Sequence, residues 1–386
     1  MAESENAAPR PEVAAPRPKA AMRRPKVAVL PGDGVGPEVL DAALPVVEAL
    51  GLDWELLFGE IGWTCWQRDG EPVPADTWRL IEDSDAGLLG AVTSKPEQEA
   101  QAELAPRLRG AGRVYRSPVV QLRQRLDLYA NLRPVVDYRA QPAQFDYVIV
   151  RENTEGLYAG FDVAEVRGEL WDLVRSHPNA ARSGPDGVRV ALRLQTDFGT
   201  DRILRFAFGL ARAQGRSGVV VADKPNILRS SGGRLRERVE RVAAEYPELR
   251  AEICNVDAVA MRLVTDPAGF GVIVAENVFG DILSDVAAGV AGSIGVAPSG
   301  NVGERWSYFE PVHGSAPDIA GRGIANPFGM ILAVADLADH LGAQAEAGAA
   351  RRAVRAVMTR GEQVTADLGG SATTRQSARA VLACLV

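Results

Sequence analysis

The run Asn277–Asp285, Asn-Val-Phe-Gly-Asp-Ile-Leu-Ser-Asp, sets two carboxylates, Asp281 and Asp285, four residues apart. On a helix that spacing stacks both on one face, where like charges repel unless a cation lies between them. Hard oxygen ligands without His or Cys beside them suit Mg²⁺ or Mn²⁺ rather than zinc. An isolated Asp-x-x-x-Asp is more often a solvated helix face. Here Val278, Phe279, Ile282 and Leu283 are apolar, so the acids are set into a partly buried segment, and buried charges need partners.

Arginine spacing is the second chemical signal. Arg123, Arg133 and Arg151 sit in Gln-Leu-Arg, Asn-Leu-Arg-Pro and Ile-Val-Arg-Glu-Asn, each in an apolar or polar-uncharged approach. Guanidinium groups grip carboxylates bidentately, and several that converge would hold a di- or tricarboxylate. Any one of them alone reads as a surface ion pair. Three together with an acidic metal site suggest a metal-chelated polycarboxylate substrate.

Such side chains need a scaffold, and the chain supplies alternating strand and helix signals. Strand-like runs fall at Val27–Leu30, Gly87–Leu89, Tyr147–Val150, Val188–Leu192, Gly218–Val221, Ala251–Val256 and Gly271–Val274. Helical stretches fall at Pro37–Leu50, Asp201–Ala213 and Gly233–Glu245, and the chain after Asp281 reads as helical apart from a Gly- and Pro-rich loop from Gly292 to Pro327. That alternation predicts an α/β architecture with helices on both sheet faces. The turn Gly32-Asp33-Gly34-Val35-Gly36 is not the dinucleotide fingerprint: its third Gly comes one residue early. Glu38 in the first helical turn also puts a carboxylate where pyrophosphate would sit.

Composition bounds the function. A chain of 386 residues has room for two domains, and 46% hydrophobic with 24% charged residues is ordinary for a soluble enzyme. A net charge of −7 argues against a nucleic-acid binder, and no apolar run is long enough to span a bilayer. Cys65, Cys254 and Cys384 are widely separated with no Cys-x-x-Cys, which fits reduced thiols in a cytoplasmic protein. Residues 1–25, rich in Ala, Pro, Glu and Arg, are expected to be a disordered tail, with no apolar core of a secretory signal.

Five motifs in order carry a family resemblance from Lys26 to the C-terminus. They are Leu-Pro-Gly-Asp-Gly-Val-Gly-Pro-Glu (Leu30–Glu38), Leu-Asp-Leu-Tyr-Ala-Asn-Leu-Arg-Pro (Leu126–Pro134), Arg-Glu-Asn-Thr-Glu-Gly-Leu-Tyr-Ala-Gly (Arg151–Gly160), Asn277–Asp285, and Glu-Pro-Val-His-Gly-Ser-Ala-Pro-Asp-Ile-Ala-Gly (Glu310–Gly321). The chain resembles the metal-dependent β-decarboxylating dehydrogenases, which include isocitrate, homoisocitrate and 3-isopropylmalate dehydrogenases. The resemblance implies that family's two-domain α/β fold, distinct from a Rossmann fold. The large domain would combine residues 26–129 and 292–386. The small domain, 130–291, would carry the contacts of a homodimer.

The same resemblance implies roles. Arg123, Arg133 and Arg151 would clamp the malate carboxylates. Asp281 and Asp285, with Asp257 from a second subunit, would hold Mg²⁺ or Mn²⁺. Tyr158 and Lys224 resemble the acid–base pair, Lys224 again from the partner. Hydride would leave C2 for a nicotinamide while a base takes the hydroxyl proton. Loss of CO₂ from the resulting 2-oxo acid leaves an enolate that the metal stabilises and an acid protonates at C3. A neutral Lys224 would be needed, its pKa lowered by burial or nearby cations. In the segment His313–Asn326, His313 and Gly314 resemble the adenine contact, with Asn326 at its end. The pair Asp318-Ile319 resembles NAD-using members, because the Asp318 carboxylate suits ribose hydroxyls and repels a 2′-phosphate.

Substrate choice rests on Tyr115–Arg123. Ser117 matches a serine that isocitrate-type enzymes aim at a distal carboxylate, and Arg116 or Arg113 could add charge. Val119 stands where isocitrate enzymes carry Asn and isopropylmalate enzymes an apolar residue. The Ser-Pro-Val-Val run looks most like homoisocitrate dehydrogenases. Homoisocitrate or isocitrate is thus the expected substrate, 3-isopropylmalate or a related 3-substituted malate analogue the alternative, and a non-catalytic regulatory subunit a remoter one. The segment Lys95–Val114, acidic then basic, is expected to form a mobile lid.

Overall fold

The computed structural model describes residues 23–385. The expectation for residues 1–25 therefore lies almost wholly outside the described chain. Its last three residues are already engaged: Arg23 pairs with Asp85, Arg24 with Asp53, and the Pro25 carbonyl accepts from Glu55 N at 2.8 Å.

β1 (Lys26–Gly32) runs through a tight turn into α1 (Gly36–Ala49), followed by β2 (Glu55–Phe58), α2 (Trp63–Asp69), α3 (Ala75–Glu82) and β3 (Ala86–Ala91). After α4 (Glu97–Ala102) and α5 (Pro118–Arg125) come β4 (Ala130–Val136) and β5 (Asp146–Glu152). A small arm holds β6 (Asp162–Val163), α6 (Gly168–Val174), α7 (Pro178–Ser183) and β7 (Val190–Ala191). Strands and helices then alternate: α8 (Asp197–Ala213), β8 (Gly218–Asp223), α9 (Arg229–Ala243), β9 (Arg250–Asn255), α10 (Val256–Thr265), β10 (Val272–Ala275) and α11 (Asn277–Ala291). The chain ends with β11 (Pro298–Val302), β12 (Ser307–Pro311), α12 (Phe328–His340), α13 (Gln344–Arg360) and α14 (Thr374–Leu382). No described helix is long and apolar enough to cross a membrane.

Ten strands form one sheet in the order β2-β1-β3-β12-β11-β4-β5-β10-β8-β9. The two flanks are parallel, and the centre is antiparallel where β11 pairs with β12 and β4, and β4 with β5. β1 reads as an unbroken apolar run because both its faces are covered, and Val27, Ala28, Val29 and Leu30 are fully buried. α1, α12 and α13 pack Val39, Val46, Ile331, Val334 and Val354 onto one flank. On the other flank α8 and α9 cover one face with Ile203, Leu204, Phe208 and Val239. There α10 and α11 cover the opposite face with Val259, Leu263, Leu283 and Ala287. The architecture is the expected mixed α/β with helices on both sheet faces.

The glycine turn after β1 is confirmed as something other than a phosphate cradle. Gly34 has φ +58, and a Cβ there would lie 2.0 Å from the Ser315 carbonyl oxygen. Val35 N donates to that same oxygen at 2.9 Å, so the turn is packed against the Glu310–Gly321 motif. Glu38 accepts from the backbone N–H groups of Gly323 at 3.2 Å and Ala325 at 3.0 Å rather than occupying an anion site.

Several boundaries differ from expectation. The loop expected from Gly292 to Pro327 contains the buried hairpin β11–β12. The run Val188–Leu192 shrinks to β7, paired only with β6, and Leu192 is exposed. α8 begins earlier, at Asp197, because the Thr196 hydroxyl caps it by accepting from Gly199 N at 2.9 Å.

Candidate active site

Strand register brings the arginines together. Asn131 on β4 lies opposite Arg151 on β5, and Arg133 opposite Ile149, so both guanidiniums leave the sheet face that α11 covers. α11 starts at Asn277, with the Glu276 side chain capping it by accepting from Phe279 N at 3.3 Å. One turn in, Asp281 receives a hydrogen bond from Arg151 Nη1, and Tyr158 Oη lies 3.4 Å from its other oxygen. Arg151 is fixed besides by Asn277 Oδ1, at 3.0 Å from Nε and 2.8 Å from Nη2. Gly280 lets the helix come this close, since a Cβ there would meet the Arg151 Cβ at 2.7 Å.

Burial and the neighbouring Arg123 cation push the Arg151 guanidinium down to about 10. Burial also lowers Arg133, with Glu310, Asp281 and Asp285 opposing. Arg133 Nη1 is buried and has no hydrogen-bond partner, while its Nε donates to Asn131 Oδ1 at 2.7 Å. A buried guanidinium with an unused donor is a costly arrangement that an anion would relieve. Solvent reaches Asp285, yet the protein around it withholds enough water to push its carboxyl above the ordinary range, with Arg133 pulling the other way.

Beneath the arginines lies a buried amide layer that reading the sequence residue by residue did not single out. Asn301 Oδ1 accepts from Arg123 Nε at 3.0 Å, Asn131 Nδ2 at 3.1 Å and Asn153 Nδ2 at 2.9 Å. Its Nδ2 donates to Glu310 Oε1 at 2.8 Å. This one side chain ties β4, the residue after β5, β11 and β12 under the site. Asn131, Asn153 and Glu310 stand inside the five motifs, next to the arginines or the histidine loop. Asn301, in Pro-Ser-Gly-Asn-Val, gave no signal.

Lys224 and Asp257 sit apart from this group. Lys224 Nζ donates to Asp257 Oδ1, and the lysine holds the Asp257 carboxyl below the ordinary range. The lysine side chain is 26% exposed and faces a carboxylate, so one chain does not supply the burial or cations expected around it. Among the described residues no three His, Cys, Asp or Glu side chains converge as metal ligands. Asp281 and Asp285 therefore have no third acid from their own chain.

The cofactor candidates line the opposite flank. His313 is half-buried, its Nδ1 lies 3.0 Å from the Gly314 carbonyl oxygen, and its Nε2 is buried without a partner. Burial pushes this imidazole down, which keeps it neutral. Gly314 and Asp318 are exposed, and Ile319 packs against the α1–α12 core. Asn326 is already engaged at both ends, its Nδ2 donating to Asp367 at 2.9 Å and its Oδ1 accepting from Phe328 N at 2.9 Å.

Ser117 is the residue before α5, and its hydroxyl caps nothing. Val119 is half-buried against the cluster of Ala28, Leu30 and Leu89, whereas Val120 is exposed. Three residues on from Ser117 and three before Arg123, Val120 is the valine beside both on the helix surface. Arg113 is committed to Glu71, and Arg116 has no ion-pair partner among the described residues. The expected lid, Lys95–Val114, is anchored along α2. Trp63 Nε1 donates to Glu103 at 2.6 Å and Trp66 Nε1 to the Ala100 carbonyl at 2.9 Å. Ala100 and Leu104 are fully buried there, and the Tyr115 ring meets both tryptophans edge-on at 5.0 and 5.3 Å.

Three arginines and an acid pair gathered on one face of a mixed α/β sheet are equipment suited to an enzyme that handles small carboxylates. The chain belongs to the isocitrate/isopropylmalate dehydrogenase family, whose model matches residues 26–381. It is accordingly an oxidoreductase of the decarboxylating dehydrogenase kind. It is 48% identical to the protein DlpA of Legionella pneumophila over 92% of this chain, although it spans only 58% of that relative's length. It is 40% identical to a 3-isopropylmalate dehydrogenase of Methanothermobacter thermautotrophicus, covering 91% of this chain and 95% of that one. The crystal structure of isocitrate dehydrogenase from Methylococcus capsulatus superposes with a TM-score of 0.80 at 36% identity, covering 93% of this chain and 99% of that one.

Proposed function

We propose that the protein is a homodimer that oxidatively decarboxylates a 3-substituted malate with a distal carboxylate, homoisocitrate or isocitrate, using NAD and Mg²⁺ or Mn²⁺. The observation that carries the reading is the buried Arg133 with its unpartnered Nη1, set beside Arg151, Asp281 and Asp285. Arg123, Arg133 and Arg151 bind the malate carboxylates, and the Asn301 layer holds them at fixed separation. Partial burial and Asp281 push the Tyr158 phenol above its ordinary value, so it stays protonated and can donate to C3. Lys224 of the partner subunit takes the C2 hydroxyl proton.

The donor set of Asp281, Asp285 and the partner's Asp257 is all carboxylate oxygen, which fits a hard divalent cation. When bound, that cation polarises the C2 oxygen and offsets negative charge as CO₂ departs. Asp257 accepts from Lys224 through Oδ1 and has a second oxygen for the cation, so the shared site would hold lysine and metal side by side. A shared site also accounts for the apolar surface left on α10 and α11, where Met261, Val264 and Ile282 are more than half exposed. The core clusters support a division into a large domain (26–129 and 292–386) and a small one (130–291). The free thiols of Cys65, Cys254 and Cys384 suit a cytoplasmic setting.

NAD binds against His313 and Gly314, with Ile319 and Asn326 shaping the loop and the exposed Asp318 facing the ribose. NAD is expected to be preferred to NADP, and Asp318→Lys to narrow the gap. Repulsion of a 2′-phosphate in a partly screened site is worth roughly 1–3 kcal/mol, about ten- to a hundredfold in specificity. Equal kcat/KM of the unmodified enzyme with both cofactors would refute this assignment.

The distal carboxylate rests on Ser117, whose hydroxyl is unused, and on Arg116, which lacks an ion-pair partner among the described residues. The exposed Val120 favours the second reading, an isopropyl substituent. A steady-state NADH assay over homoisocitrate, isocitrate and 3-isopropylmalate with Mg²⁺ separates them. Ser117→Ala and Arg116→Ala should each weaken the carboxylate substrates while sparing 3-isopropylmalate. The loss is set by a charge-assisted hydrogen bond, about 1.5–3 kcal/mol. An enzyme at least tenfold better with 3-isopropylmalate overturns the choice.

A further inference from the structure

Arg193 lies on the stretch between β7 and α8, outside every motif that drew attention in the sequence. Its Nη2 donates to Asp223 Oδ1 at 2.9 Å, its Nε is 4.0 Å from Glu276 Oε2, and its guanidinium carbon is 5.5 Å from the centre of the Phe279 ring. All three charged side chains are withdrawn from water, with 15% of Arg193, 1% of Asp223 and 13% of Glu276 exposed. Arg193 Nε and Nη1, Asp223 Oδ2 and Glu276 Oε2 have no hydrogen-bond partner, and they border a small cavity of about 50 Å³ floored by Ile203, Leu204 and Leu235. The guanidinium thus lies between two carboxylates, hydrogen-bonded to one and 4.0 Å from the other.

Each carboxylate leads to a different part of the chemistry. Asp223 ends β8 and immediately precedes Lys224, which pairs with Asp257. That turn is held tightly: Ile227 N and Leu228 N donate to the Lys224 carbonyl at 3.0 and 2.9 Å, and a Cβ on Gly232 would lie 2.6 Å from Pro225 Cα. Glu276 caps α11, whose next residues, Asn277 and Asp281, hold Arg151 and meet Tyr158. A buried charge paired on both sides transmits displacement, because leaving either carboxylate unpaired is costly.

We infer that Arg193 is a positioning residue that ties the Lys224 side of the molecule to the Arg151–Asp281–Tyr158 side. The inference rests on the shared-site dimer. There the two sides of one chain serve different active sites, so Arg193 links one site to the other.

Subunit exchange tests it. Homodimers of Tyr158→Phe and of Lys224→Ala are each inactive, but mixing them regenerates one intact site, built from Lys224 of the first chain and Tyr158 of the second. Arg193→Lys is then placed in one chain at a time. In the chain supplying Lys224 it should lower kcat about tenfold with KM for the malate nearly unchanged. In the chain supplying Tyr158 it should raise KM about tenfold and lower kcat as well, because Arg151, Asp281 and Tyr158 move together. Asp223→Asn should reproduce only the first effect and Glu276→Gln only the second, which covers poor folding of the Arg193 variant. Equal effects in both placements, or none, overturn the link and leave the shared site standing. Failure to regain activity on mixing overturns the shared site itself, and the link with it.

Discussion

Asp281→Asn should lower turnover on the order of a hundred- to a thousandfold, the usual loss when a group that stabilises developing charge is removed. Asp281 is a hub: it accepts from Arg151 and lies 3.4 Å from Tyr158 Oη. The amide keeps the side chain's size and one acceptor oxygen, so thermal unfolding should shift little. Excess EDTA should abolish NADH formation in the unmodified enzyme, and Mg²⁺ or Mn²⁺ should restore it. Apparent metal affinity should also fall as pH drops, beginning above the ordinary carboxylate range, because the raised Asp285 carboxyl must lose its proton to serve as a ligand. Full activity in EDTA, or unimpaired Asp281→Asn, would remove the metal from the mechanism.

Arg133→Met should separate stability from function. Arg133 is 7% exposed, and its Nη1 has no partner. Arg133 has no ion-pair partner among the described residues, so an apolar side chain of similar length removes the cost of burying its charge, which offsets the loss of its one hydrogen bond, to Asn131 Oδ1. The melting temperature should therefore hold or rise. The malate substrate loses a buried charged partner, a cost of about 2–5 kcal/mol, so KM should rise at least about thirtyfold. A large drop in melting temperature with an unchanged KM would make Arg133 structural and leave the clamp to Arg123 and Arg151.

The acid pair and the arginines were legible in the sequence because local rules place them: helical spacing for Asp281 and Asp285, strand ends for Arg151. Lys224 and Asp257 could be attached to the site only through family resemblance, since within one chain they face each other. The hairpin β11–β12 was hidden by its composition. Pro298, Ser299, Gly300 and Asn301 carry turn signals, yet all four are buried, and hydrogen bonding from neighbouring strands outweighs their weak strand propensity. The Lys95–Val114 segment has little apolar pattern of its own. Trp63 and Trp66, some thirty residues earlier, hold it in place, and no local signal reports a contact of that range.

The bracket at Glu38 bears on how the proposed cofactor loop can be exchanged between relatives. Glu38 takes the N–H groups of Gly323 and Ala325, and it also accepts from the Thr374 hydroxyl. Thr374 shares that hydroxyl proton with the Ala325 carbonyl, 2.6 Å away, and donates to the Gly323 carbonyl at 2.9 Å from its backbone N–H. The loop's shape is thus written in three separate stretches of chain, the first turn of α1, residues 321–326 and the first turn of α14. It is not a portable cassette. A graft of His313–Asn326 that alters coenzyme choice in one family member would land in a misfitted frame in another unless the acid in α1 and the threonine in α14 travel with it.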